Sequence, residues 1–158
     1  MKKILCCIII ILFLNGCTVS NTTTFSVSPF RAEVTVKELP ELRGKLDFKS
    51  AAEISFTILE PKDLNGIIFE IRNGNSYFSI DDVTFDINEA ILNNGNKNVF
   101  LNLFEVLGAL SSDAVQINNN NDKYSSSCIY GNFTCLFESD LKSIKEITSD
   151  NFTYNLYY

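Results

Sequence analysis

The chain has 158 residues, with 19 acidic and 13 basic side chains, a formal net charge of −6 and no histidine. An acidic chain without a basic cluster is a poor candidate for binding nucleic acid, so no nucleic-acid partner is expected. The absence of histidine removes the usual general base and the commonest metal ligand, which argues against Ser–His and Cys–His hydrolases. We therefore expect neither an enzyme nor a bound metal or other cofactor.

The N-terminal segment has the features of a bacterial export signal. Two lysines precede an uninterrupted apolar run over residues 4–14, about half of the roughly 20 residues needed to span a bilayer. The run ends at Leu14-Asn15-Gly16-Cys17, a pattern typical of a lipoprotein cleavage box. The sequence thus predicts a signal peptide over residues 1–16 and a lipid on Cys17. Such a lipid would anchor the protein at the extracytoplasmic face of the cell membrane, because two or more acyl chains anchor stably.

The body of the chain begins with a polar segment and continues as strands. The polar residues 17–29 are expected to form a tether, and residues 30–158 are expected to form one domain. Alternating apolar and polar residues indicate strands with one buried face, and the short turns between them leave no room for crossover helices. The predicted strands are Phe30–Lys37, Arg43–Phe48, Glu53–Ile58, Ile67–Arg72, Tyr77–Ile80 and Val83–Ile87, with turns at Asn73-Gly74-Asn75 and Asp81-Asp82.

The period of the apolar residues then changes from that of a strand to that of a helix. Asn88–Leu92 is long enough for one helical turn, and Asn98 can cap a helix over Val99–Leu110. Apolar residues recur along this helix at helical spacing and form one stripe, which must be buried against the preceding sheet. The stripe consists of Phe100, Leu103, Phe104, Leu107 and Leu110.

Strands are predicted again after the helix. They are Val115–Ile117, Tyr124–Tyr130, a strand that begins at Phe133, a bulged Leu141–Thr148 and Phe152–Tyr158, with a loop over Asn118–Asp122. A two-residue turn at Gly131-Asn132 would place Cys128 directly opposite Cys135. Because these are the two cysteines left after lipidation of Cys17, and exported proteins favour disulfides, the sequence predicts a disulfide between them.

The apolar faces of the sheet and of the helix allow two interpretations. They can form a filled core, which suits an adaptor that binds another protein of the cell envelope. They can also line an open space in the concavity of a curved sheet, where a lipid or acyl chain binds beneath the helix. The residues expected to line such a space are Ile54, Phe56, Ile58, Phe69, Phe78, Phe100, Leu103 and Leu107.

The run from Phe56 to Ile71, FTILEPKDLNGIIFEI, resembles the strand, proline, Leu-x-Gly, strand pattern of LolA-like lipoprotein carriers. The segment from Leu141 to Tyr158 is similar to the closing pair of strands in that family. The resemblance implies an α+β fold with a strongly curved antiparallel sheet, an incomplete barrel, and one main helix on its concave side. It also implies a non-enzymatic lipoprotein that binds a lipid or an acyl chain in that concavity.

Overall fold

The protein is described by a computed structural model over residues 27–37, 42–87, 98–112, 118–120, 123–128, 131–138, 143–150 and 152–158. The predicted cleavage box with Cys17, the predicted helical turn Asn88–Leu92 and the predicted strand Val115–Ile117 lie outside these residues. Within them, no helix has the length and hydropathy required to cross a bilayer.

The described residues form one antiparallel sheet and one α-helix. The strands are β1 Phe30–Val36, β2 Leu42–Ser50, β3 Glu53–Glu60, β4 Ile68–Arg72, β5 Asn75–Ile80, β6 Val83–Asp86, β7 Asn118–Asn120, β8 Lys123–Cys128, β9 Gly131–Phe137, β10 Ile144–Ser149 and β11 Thr153–Tyr157. The helix α1 is Val99–Ser111 and lies between β6 and β7 in the chain. The order of the eleven described strands across the sheet is β6-β5-β4-β3-β2-β1-β11-β10-β9-β8-β7, so β6 and β7 form its two ends.

The first six strands confirm the predicted meander, including its turns. Asn73 and Gly74 have φ values of 54° and 80° and join β4 to β5, while Asp81 and Asp82, at 46° and 66°, join β5 to β6. Positive φ at both central residues is the geometry of a two-residue hairpin turn, which asparagine, aspartate and glycine adopt most readily. The first and last strands are neighbours in the sheet, because β11 pairs with β1.

One face of the sheet is apolar and the other is charged. Cross-strand partners share a face, and the register pairs Val34 on β1 with Leu156 on β11 and Leu46 on β2 with Phe56 on β3. These side chains are buried in a single cluster together with most apolar side chains of α1. The opposite face has ion pairs in register, such as Arg31 with Asp47 at 3.0 Å.

The helix begins at the predicted cap, and its first residues contact side chains of the sheet. Asn98 Oδ1 accepts hydrogen bonds from the backbone N–H groups of Phe100 and Leu101, at 2.9 and 3.3 Å. The ring of Phe100 contacts Phe56, and the hydroxyl of Tyr154 on β11 donates to the carbonyl of Val99 at 2.8 Å. The predicted combination of one antiparallel sheet with one main helix is therefore confirmed.

The hairpin of β8 and β9 has a different register from the predicted one. Cys128 is opposite Gly131, and Cys135 is opposite Tyr124, so the predicted turn at Gly131-Asn132 is wrong. Four residues of strand separate Tyr124 from Cys128, about 13 Å, whereas a disulfide requires Cα atoms within about 7 Å. The predicted pairing of Cys128 with Cys135 is thus wrong, and Cys135 is a free, buried thiol.

Two other predictions for the C-terminal half have different outcomes. The predicted loop over Asn118–Asp122 is wrong in its first part, because Asn118–Asn120 forms β7 and pairs with β8. The predicted bulge is confirmed, since the pairing of β10 with β9 shifts register between Ile144 and Glu146. The bulge allows Ile144 and Ile147, three residues apart, both to be fully buried.

Candidate functional site

A row of four phenylalanines crosses the sheet from its core to its edge. Phe56 on β3 is opposite Phe69 on β4, Phe69 is opposite Phe78 on β5, and Phe78 is opposite Phe85 on β6. The rings of Phe69 and Phe78 have centroids 6.2 Å apart, and those of Phe78 and Phe85 are stacked at 4.8 Å. Phe100 of α1 covers the start of the row, with its ring centroid 3.9 Å from Phe69 and 5.2 Å from Phe56.

The row becomes progressively more exposed toward β6. Phe56 is fully buried, Phe69 and Phe78 are half-buried, and Phe85 is 44% exposed. Ile80 and Val83 lie on the same face, because each is two residues from a member of the row, and they are 39% and 53% exposed. We name this surface the open apolar face; it consists of Phe69, Phe78, Ile80, Val83 and Phe85. It continues the core beyond the cover of α1.

The structure divides the predicted lining residues into two groups. Ile54, Phe56, Ile58, Leu103 and Leu107 are between 0 and 2% exposed, and Phe100 is 8% exposed. Side chains with so little accessible surface do not border a space that holds even a water molecule, so this part of the predicted ligand space is filled. Phe69 and Phe78 instead belong to the open apolar face.

Ile80, Val83 and Phe85 belong to the open apolar face and were not among the predicted lining residues. Their alternation is visible in the sequence and places them on the same face as Phe78. The sequence pattern does not show that β6 is the last described strand at this end of the sheet. Nor does it show that Phe100 of α1 contacts Phe69 on β4 while Phe85 stays exposed.

Among the described residues, the other side chains that could take part in catalysis or metal binding do not form a reactive site. Burial raises the pKa of the Cys135 thiol, and that side chain has no solvent-exposed surface, so it is unsuited to nucleophilic chemistry. Asp81 and Asp82 form the exposed turn that the sequence analysis favoured. Within the described ranges, no three Cys, Asp or Glu side chains are grouped so that they could hold a metal ion.

A polar groove lies on the face opposite to α1. It has a volume of about 520 Å³ and crosses β11, β1, β2 and β3. Its lining includes Arg31, Glu33, Lys45, Asp47 and Tyr157. The basic and acidic side chains are mixed along it, and Arg31 is already paired with Asp47, so no single charge is presented to a ligand.

Comparison with solved structures gives fourteen matching chains, two of which are described here. No family model and no curated protein matches the sequence. The fold is similar to that of an uncharacterized conserved protein from Thermus thermophilus, with a TM-score of 0.47 and 9% identity, over 82% of this chain and 76% of that chain. It is also similar to a LolA superfamily protein from Nitrosomonas europaea, with a TM-score of 0.43 and 11% identity, over 84% of each chain. A LolA superfamily structure is therefore among those that the fold is similar to, as the sequence resemblance predicts.

Proposed function

We propose that the protein is a non-enzymatic lipoprotein, anchored through Cys17 at the extracytoplasmic face of the cell membrane, and that its open apolar face binds an acyl chain or similar apolar ligand. The exposure of Phe85, Val83 and Ile80 is the observation that supports this site most directly. Adjacent exposed apolar side chains of this kind are typical of interaction sites. The lipid anchor rests on the cleavage box at Leu14-Asn15-Gly16-Cys17.

The proposed ligand site lies beside α1 rather than beneath it. The packing of Leu103 and Leu107 against the sheet leaves no room for an acyl chain there. The stacked rings of Phe69, Phe78 and Phe85 instead offer a row of apolar surface that begins at α1 and ends at the edge of the sheet. An extended hydrocarbon chain bound along this row would be stabilised, because apolar area of the chain and of the phenylalanine rings would be removed from water.

We further propose that the sheet curves around α1, as in an incomplete barrel with the helix on the concave side. The first turn of α1 contacts Phe69 on β4 through Phe100 and Tyr154 on β11 through Val99. In a flat sheet, β4 and β11 would lie about 19 Å apart, which is wider than a helix of about 10–12 Å. The register shifts between β2 and β3 supply bulges that bend strands.

A second candidate function is an adaptor for another protein of the cell envelope. The observation that favours it is the filled core, because Phe56, Leu103 and Leu107 are as buried as in an ordinary domain. In this case the open apolar face would contact a protein rather than a lipid. Both candidates share the anchor and the surface, and they differ in the chemistry of what is bound.

The two candidates are distinguished by binding of a fluorescent fatty acid to the chain from residue 18 onward. Phe85→Asp places a charge on the open apolar face, and we expect a folded variant that has lost the probe. Tyr157→Asp is the matched control, because Tyr157 is also an exposed aromatic residue of a strand, 59% exposed, but lies on the opposite face. A wild-type chain that binds no apolar probe would contradict ligand binding and leave the adaptor as the better candidate.

A further inference from the structure

We infer that the outer edge of β6, with which no described strand pairs, binds an extended segment of a partner protein in which apolar and basic residues alternate. This goes beyond the proposed function, because it concerns the backbone of the edge strand and the charged face of the sheet rather than an apolar ligand. Three properties of β6 lead to it: the direction of its backbone groups, the apolar side chains on one face and the carboxylates on the other.

The backbone groups of Thr84 and Asp86 point away from the sheet. The N–H of Ile87 donates to the carbonyl of Ser76 at 2.9 Å, and β6 pairs with β5 so that Asp86 is opposite Tyr77. In an antiparallel ladder, alternate residues direct both backbone groups to the same neighbour. Since Ile87 faces β5, Thr84 and Asp86 face the other side. No other strand of the described residues pairs with β6 there.

The two faces of β6 differ in chemistry. Val83 and Phe85 are exposed on the apolar face. On the opposite face, a groove of about 500 Å³ is lined by Glu70, Asp81, Asp82 and Thr84. Asp86 follows two residues after Thr84 and so lies on that face as well. Arg72, the cation of this groove, is already paired with Glu70.

These features specify the chemistry of the added strand. A strand that pairs with Thr84 and Asp86 alternates its side chains between the two faces, as β6 does. Apolar side chains would extend the packing of Val83 and Phe85, and basic side chains would lie beside Asp82 and Asp86. A second copy of this chain fits poorly, because pairing two β6 edges would bring their carboxylates together, and like charges on neighbouring strands are unfavourable.

The test uses the full chain in a non-ionic detergent and two short fluorescent peptides, one alternating valine with lysine and one alternating valine with glutamate. We expect the valine–lysine peptide to bind and the valine–glutamate peptide to bind about tenfold more weakly or not at all. Thr84→Pro removes the outward N–H without breaking a bond to β5, because proline is tolerated at a strand edge. This variant should lose about tenfold or more in affinity for the valine–lysine peptide.

Controls separate this inference from the proposed function. Thr84→Val keeps the backbone N–H and loses only the hydroxyl that bonds Ser79 at 2.9 Å, so it should bind the peptide as the wild type does. If the open apolar face of the wild type binds a fluorescent fatty acid, the Thr84→Pro variant should bind it equally well. If Thr84→Pro does not fold, Asp86→Lys serves instead, and it should shift the preference toward the valine–glutamate peptide.

Four results would overturn the inference. They are no binding of either peptide, equal binding of both, binding unaffected by Thr84→Pro, and a concentration-dependent dimer that Thr84→Pro abolishes. The last of these would identify a second copy of the chain as the occupant of the edge.

Discussion

The ring of Phe100, at the start of α1, stacks on Phe69 of β4 with centroids 3.9 Å apart and planes inclined by 13°. The exposure of the phenylalanine row changes on either side of this contact. On one side of it Phe56 is fully buried, and on the other side the row continues through Phe78 to the exposed Phe85. The same residue type at equivalent register positions therefore stabilises the core at one end and forms a candidate binding surface at the other.

The first prediction compares truncation of Phe100, which covers the buried end of this row, with truncation of Phe85 at the exposed end. Phe100→Ala removes a ring that is 8% exposed and contacts two other rings, so it should lower the free energy of unfolding by about 3–5 kcal/mol. Phe85→Ala removes a ring that is 44% exposed and should cost about 1 kcal/mol or less. Urea denaturation of both variants measures the difference. Equal losses would mean that Phe85 is packed as tightly as Phe100.

The second prediction concerns a buried polar pair between α1 and β11. The hydroxyl of Tyr154 lies 2.9 Å from Asn102 Oδ1 as well as 2.8 Å from the carbonyl of Val99. Tyr154→Phe should lower the free energy of unfolding by about 1–3 kcal/mol, because it leaves buried acceptors without that donor. Among the described residues, no hydrogen-bond partner is present for the buried amide nitrogen of Asn102, so Asn102→Leu should cost less than Tyr154→Phe. Thermal unfolding of both variants and of the double variant tests this order.

The N-terminal half of the domain is largely predictable from local signals. Alternation over Phe30–Ile87 predicts six strands, and all six are present with their turns at Asn73-Gly74 and Asp81-Asp82. The helix and its cap at Asn98 are also predicted correctly. These features depend on side-chain periodicity and on the backbone preferences of single residues, both of which are visible in sequence.

The errors arise where register or distant contacts decide the structure. A turn at Gly131-Asn132 and the register in which Cys128 is opposite Gly131 both satisfy the local pattern of the β8–β9 hairpin, but they differ in which residues face each other. The predicted disulfide of Cys128 with Cys135 depended on that choice. Likewise, the division of the predicted lining residues into a packed core and an open face depends on how far α1 extends across the sheet.

The third prediction uses two glycines with opposite surroundings. A Cβ atom added to Gly44 on β2 would lie 2.3 Å from a ring carbon of Phe56 and 2.6 Å from the carbonyl oxygen of Thr57. Gly44→Ala should therefore lower the free energy of unfolding by about 1–3 kcal/mol through overpacking. A Cβ on Gly108 of α1 would meet only Ala51, at 3.9 Å. Gly108→Ala should raise the free energy of unfolding by up to about 1 kcal/mol, since alanine favours helices.

The two glycine variants are controls for each other. Both substitutions add one methyl group, so a general effect of added volume would change stability in the same direction. Opposite shifts of the melting temperature are expected. Two destabilised variants would indicate that Gly108 is in closer contact than an ordinary van der Waals distance.

The fourth prediction concerns the buried thiol of Cys135. Burial raises its pKa above the ordinary value of 9.0, so the folded protein holds this proton at a pH where the unfolded chain has released it. The contribution of Cys135 to stability is therefore complete below pH 9.0 and decreases as the pH rises above that value. Cys135→Val should show a weaker loss of stability above pH 9.0 than the wild type does. Reaction of Cys135 with a thiol reagent should require unfolding, and rapid labelling at Cys135 in the native protein, located by mass spectrometry of the peptide that contains it, would contradict its burial.

The last prediction tests the proposed anchor. Cys17 follows Leu14-Asn15-Gly16, and in the proposed anchor the lipid is attached to the thiol of Cys17 and residues 1–16 are removed. Cys17→Ala removes the thiol, so we expect loss of labelling by a fatty-acid probe and accumulation of the unprocessed chain. Cys6→Ala and Cys7→Ala are the matched controls, because both thiols lie within the predicted signal peptide and should leave labelling and processing unchanged. If Cys17→Ala were processed and labelled as the wild type is, the lipid anchor would be wrong, while binding at the open apolar face and at the β6 edge would remain to be judged by their own assays.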